Sequence, residues 1–174
     1  MPSNLRNRMA GACFAITLEH HQAVTVLAAQ KQPLYASAFA LVRPAYESYV
    51  RGMWLSHCAE DTQVETFAND GKIPGMGSLA RAVEIAGNLD PQLSGIYTRN
   101  WSAFCSFTHS GGLHAQRWNT PEAIEPNFSD VEVREALQFT SAMALLAAIG
   151  VASLVSNESL AHELLEAARQ HAAT

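Results

Sequence analysis

Apolar residues recur every three or four positions along nearly the whole chain, and alternation with a period of two never lasts long enough for a strand. The pattern predicts an all-α protein, one helical bundle of about five to seven helices. The first helix is expected from near Ser3 to about Gln30, with Leu5, Met9, Ala12, Ile16, Val24 and Leu27 turned inward, and Lys31-Gln32-Pro33 as the turn. A second helix is predicted from Leu34 to Cys58. Its Pro44 removes the bond to the carbonyl of Ala40, so a kink is expected there, at a cost of about 3 kcal/mol unless packing compensates.

Asp61 or Thr62, with Glu65 close behind, opens a short helix ending near Asn69. The breaker-rich run Asp70 to Gly77 reads as a loop, and Ser78 as the cap of a helix ending near Gly87. Asp90-Pro91 starts a helix reaching His109, where Gly111 and Gly112 are expected to stop it by letting the backbone turn sharply and approach something closely. Leu113 to Asn127 reads as irregular. Ser129, with Asp130 and Glu132, opens an alanine-rich helix, and Ser156 or Asn157 opens the last one.

Length then sets the organisation. With 174 residues, 48% of them hydrophobic, the chain can bury one sizeable core, so residues 1–174 are read as a single domain. Charged residues are only 16%, below the roughly 25% usual for soluble domains, which predicts surface covered by a partner, most simply a homodimer or higher homo-oligomer. A net charge of −5 without a basic run disfavours nucleic acid. Cys13, Cys58 and Cys105 are odd in number and scattered, so no disulfide framework or zinc ribbon is read, and a reducing, cytoplasmic setting is expected. The start of the chain lacks the apolar stretch and cleavage site of a signal peptide. Ala136 to Ser156 is uncharged and long enough to span a bilayer, yet polar residues interrupt it and no basic anchors flank it. It is read as a core helix surrounded by others rather than a membrane span.

Two places carry candidate chemistry. Arg43, Glu47 and Arg51 are spaced i, i+4, i+8 and fall on one face of a helix whose other positions are nearly all apolar or aromatic, so that helix should be central. The stripe is either a salt-bridge ladder, at about 0.3–0.5 kcal/mol per pair, or a partly buried seat for a carboxylate or phosphate, because two guanidinium groups face one carboxylate. The second place is the helix end around His109, followed by Gly111, Gly112, His114, Arg117 and Trp118. A histidine there either caps the helix as a cation or serves a site. No spacing suits a metal and no cofactor is implied; His20 and His21 are expected to face solvent or a neighbouring helix.

The run Leu41-Val42-Arg43-Pro44-Ala45-Tyr46-Glu47-Ser48-Tyr49-Val50-Arg51-Gly52-Met53-Trp54-Leu55, with the later His109-Ser110-Gly111, resembles uncharacterised bacterial helical families with an R-P-x-x-E-x-x-x-R-x-x-W-L helix and an H-x-G element. That resemblance implies that Arg43, Glu47, Arg51 and His109 form one site, with no established activity. Arg51 and His57 also form an R-x5-H pair similar to the signature of the HEPN superfamily of helical ribonucleases and toxins, with Gly52 where that family usually has a polar residue. This second resemblance implies metal-independent RNA cleavage in a dimer cleft, with Arg51 on the phosphate and His57 or His109 as acid or base. Three functions therefore stand open: a helical protein that binds a small anion at Arg43, Glu47, Arg51, His109 and His114 or fixes a dimer there, a HEPN-like nuclease, and a purely structural oligomer. Net acidity favours the first over the second, and without a catalytic motif beyond that pair a non-enzyme is the default reading.

Overall fold

The computed structural model describes residues 4–172, and about these the expectation of an all-α bundle holds, with no strand beyond one isolated bridge between Asn119 and Ile124. The helices are α1 (Leu5–Ala28), α2 (Tyr35–Ala40), α3 (Val42–His57), α4 (Asp61–Ala68), α5 (Met76–Gly87), α6 (Gln92–Thr108), α7 (Gly112–Gln116), α8 (Asp130–Leu154) and α9 (Glu158–Ala172). They exceed the expected five to seven for two reasons. The predicted second helix is two helices, and the expected irregular segment contains the short α7. The expected start of α1 near Ser3 lies outside the described residues, and Asn4 caps the helix by accepting from the Asn7 amide (2.8 Å).

Division of the second helix falls at Leu41, whose amide reaches Ala38 in a tighter turn (3.1 Å) before α3 begins. Pro44 consequently lies in the first turn of α3, where a missing N–H is tolerated, rather than mid-helix. The carbonyl that the proline cannot serve, that of Ala40, accepts instead from the Thr108 hydroxyl of α6 (3.2 Å). Removing that hydroxyl in Thr108→Val should cost about 0.5–1.5 kcal/mol, read as a lower urea midpoint at unchanged slope.

The expected centrality of this segment is met by α3, which packs on α1, α5, α6 and α8. Its Tyr46, Val50 and Leu55 are wholly buried with Phe14 and Ala10 of α1 and Ala147 of α8. Polar groups inside this core are paired: the Thr17 and Ser48 hydroxyls meet at 2.8 Å between α1 and α3, the Tyr46 hydroxyl donates to the Leu93 carbonyl (2.9 Å), and buried Glu84 accepts from the Ser94 amide (2.8 Å). Arg6 closes the C-terminal end of α3 by donating to the carbonyls of Leu55 (2.8 Å) and Ala59 (2.5 Å), with an ion pair to Asp61 (2.6 Å).

Other boundaries follow local chemistry. At α4, Gln63 reaches back to the Glu60 amide (2.9 Å), so the cap is Glu60 rather than Asp61 or Thr62. Gly75, not Ser78, precedes α5. Ser129 and Glu132 close the expected box at α8, and the Asn157 side chain accepts from the Leu160 amide at α9 (3.1 Å).

The uncharged stretch, which forms most of α8 from Ala136 on, is not surrounded by other helices, as its composition suggested. It lies at the edge of the bundle on α1 and α3 with α9 beside it, and 28% of its most apolar window is buried, leaving Leu146 at the surface. By length and composition it is the one described helix able to cross a membrane. The polar-striped α3 occupies the centre because it offers aromatic residues to four neighbours, whereas α8 offers mainly small alanines.

Candidate functional site

Arg43 stands at the second position of α3, and its i+4 spacing to Glu47 brings Nε to Oε1 at 2.6 Å. One further turn on, Arg51 Nη2 reaches the other carboxylate oxygen at 2.8 Å. A single carboxylate thus bridges two guanidinium groups. Side-chain exposure is 18% for Arg43, 13% for Glu47 and 33% for Arg51, so all three are largely withdrawn from water.

Arg43 is further held by α6. Its guanidinium carbon lies 4.4 Å over the Trp101 ring, and Nη1 lies 2.7 Å from His109 Nε2 and 3.5 Å from Cys105 Sγ. A guanidinium only donates, so His109 Nε2 must accept, which requires the neutral imidazole with its proton on Nδ1. This replaces the capping-cation reading: the His109 ring turns away from its helix end to Arg43. Trp101, Cys105 and His109 repeat on α6 the i, i+4, i+8 spacing of Arg43, Glu47 and Arg51 on α3. Trp101 and Cys105 were missed by sequence reasoning, although the positions four and eight before His109 carried the signal.

The remaining candidates lie elsewhere. His57 is exposed at the last residue of α3, roughly 120° around the helix from Arg51, so the R-x5-H pair does not converge within the chain. His114 packs its ring on Phe107 (5.4 Å), and it is not among the partners of Arg43. His21 Nδ1 meets Thr140 of α8 at 3.2 Å, matching the expected neighbouring helix, and His20 borders a cleft beside Arg51. Burial lowers the pKa of both, for His20 against the opposing pull of Glu19. Cys13 is a free, buried cysteine, its thiol pushed up by burial to about 11 against the opposing effect of Arg51.

The sharp turn expected of Gly111 and Gly112 at this helix end is made by Ser110, which takes the left-handed conformation at φ 53°, whereas Gly111 is extended. The glycine is needed for space. A Cβ on it would lie 2.7 Å from Ser106 Oγ and 3.1 Å from Ser106 Cα.

Arg51 borders two clefts. One, of about 270 Å³, is walled by Arg43, Glu47 and Arg51, by Trp101 of α6, and by Pro74 and Met76 at the start of α5. The other, of about 400 Å³, lies towards α1 and α4 and includes His20, Ser48, Phe67 and Asp70. Among the described residues no group of three or more His, Cys, Asp or Glu is placed to hold a metal.

The fold and site define an all-α bundle with an arginine–carboxylate–arginine stripe on its central helix, backed by a Trp-Cys-His row. Residues 14–174 match the model of DUF6988, a family of unknown function, and the chain belongs to that family. No curated protein and no solved structure matches it.

Proposed function

We propose that the protein binds a small anion, a phosphate or a short carboxylate, in the cleft between α3, α6 and the start of α5, with Arg51 as the principal ligand. The carrying observation is the imbalance at Glu47: its two oxygens are both engaged, yet two guanidinium groups share its one charge. Arg43 donates from Nε and Nη1 to Glu47, His109 and Cys105 and stacks on the Trp101 face, whereas Arg51 spends one donor on Glu47 and presents its guanidinium at the cleft wall. Guanidinium donors in partly water-excluded surroundings suit an oxyanion. The cleft's size selects against large ligands: about 270 Å³ falls just below the roughly 300–1,000 Å³ of sites for drug-sized molecules.

Titration of the full chain with inorganic phosphate, sulfate and malonate, followed by thermal unfolding and calorimetry, tests the reading. At least one anion should raise the midpoint as its concentration passes Kd, reaching about 2.7 kcal/mol of added stability at a hundredfold excess over Kd. Arg51→Ala should lose this response and keep its fold, because that side chain is a third exposed. No stabilisation of the wild type at millimolar anion, or an equal response from Arg51→Ala, would sink the proposal.

A further inference from the structure

Across α6 from the arginine stripe lies a third cavity, of about 400 Å³, which shares no lining residue with the two at Arg51. Four phenylalanines line it: Phe39 of α2, Phe104 and Phe107 of α6, and Phe139 of α8. They are braced in pairs, Phe39 with Phe107 at 5.2 Å and Phe104 with Phe139 at 5.6 Å between ring centroids. A volume of this size lies within the range that accommodates a small organic ligand.

The charges at its wall have the opposite balance to the stripe. Arg117 pairs with Glu132, and Glu135, exposed one turn of α8 further on, belongs to none of the ion pairs among the described residues. One cation against two carboxylates leaves a formal −1. Burial opposes ionisation of Glu132, but hydrogen bonds from the Ser129 amide and hydroxyl and from Arg117 outweigh it and hold its carboxyl below the ordinary value. Arg117 at the wall has its Nε shut away from water without a partner, and Leu113 is the residue of α7 that reaches the cavity.

From the aromatic lining and the negative wall we infer that this cavity binds a small aromatic or alkyl amine, its apolar body among the phenylalanines and its ammonium group at Glu135. Ring faces and carboxylates attract the same cation, so the two features select one ligand class. An anion is repelled here and attracted at the stripe.

The test uses the full chain and two probes of one shape and opposite charge, 3-phenylpropylamine and 3-phenylpropionate, titrated by calorimetry. The amine should bind, and in the Arg51→Ala variant, whose anion site is removed, the carboxylate should bind about tenfold more weakly or not at all. Glu135→Gln, at an exposed position that leaves the core untouched, should weaken the amine about threefold to tenfold while leaving neutral 3-phenylpropanol unchanged. Ala136→Trp, filling the cavity, should abolish binding of the amine and of the alcohol, whereas Arg51→Ala should alter neither, which separates this site from the anion site. Equal binding of amine and carboxylate by Arg51→Ala, indifference of the amine to Glu135→Gln, or no amine binding at millimolar concentration each overturns the inference, and the Glu135→Gln result stands even if Ala136→Trp fails to fold.

Discussion

Phe14→Ala is expected to lower the stability of the protein by about 3–5 kcal/mol, a large part of the roughly 5–15 kcal/mol available to a domain. The ring is wholly buried where α1, α3 and α8 meet, and two helices approach it through glycines. A Cβ at Gly52 of α3 would lie 2.5 Å from Phe14 Cε1, and one at Gly150 of α8 would lie 2.7 Å from Cε2 and Cζ. The ring therefore fills a slot made by two absent side chains, and its loss opens a cavity that rigid helix backbones cannot readily close. The converse change has an instructive sign. Gly52→Ala improves helix propensity by about 1 kcal/mol but drives a methyl into a ring that has nowhere to move, at a cost of about 1–3 kcal/mol, so the net effect is destabilising. In the Phe14→Ala background the clash is gone, and Gly52→Ala should become stabilising. Urea titrations of the two single variants and the double variant measure this coupling, and simple additivity of the two effects would show that the slot is not the cause.

Glu47→Gln should cost about 2–4 kcal/mol and, at the same time, tighten phosphate binding. Removing one member of a fully buried ion pair typically costs 3–5 kcal/mol, and the residual exposure of this stripe reduces that. The amide keeps the shape and part of the hydrogen bonding but removes the charge that holds Arg43 and Arg51 together, leaving two like charges one carboxylate apart. The cleft's formal charge rises from +1 to +2, so phosphate should bind about threefold to tenfold more strongly than in the wild type, an advantage that shrinks with added salt. A ladder that only supports the fold predicts the first effect without the second. Calorimetric titration of phosphate into both proteins at two salt concentrations separates the readings.

The glycine slot explains the local departure of Arg51-Gly52 from the HEPN-like pattern. Position 52 faces the Phe14 ring rather than a cleft, so a polar side chain there would have no room. On a continuous helix, residues six apart diverge, as Arg51 and His57 do within one chain, whereas those four apart align. Arg43, Glu47 and Arg51 were legible because they obey the second spacing. Their partners on α6 obey it too, yet only His109 was singled out, since tryptophan and cysteine at helical spacing read equally well as core.

Periodicity and cap chemistry alone were enough to determine the class of fold, the extents of α1, α4, α5, α6 and α8 to within a few residues, and the alignment of the arginine stripe. These are properties of one helix at a time, set by side chains three or four apart and by the first and last turns. Tertiary structure alone decided the break at Leu41, where the Ala40 carbonyl found Thr108; the edge position of α8, whose alanines gave neighbours little to fill; and the meeting of Arg43 with Trp101, Cys105 and His109. Each depends on which face of one helix meets another, and that choice is made by the shapes of the whole core, above all by one phenylalanine seated between two glycines.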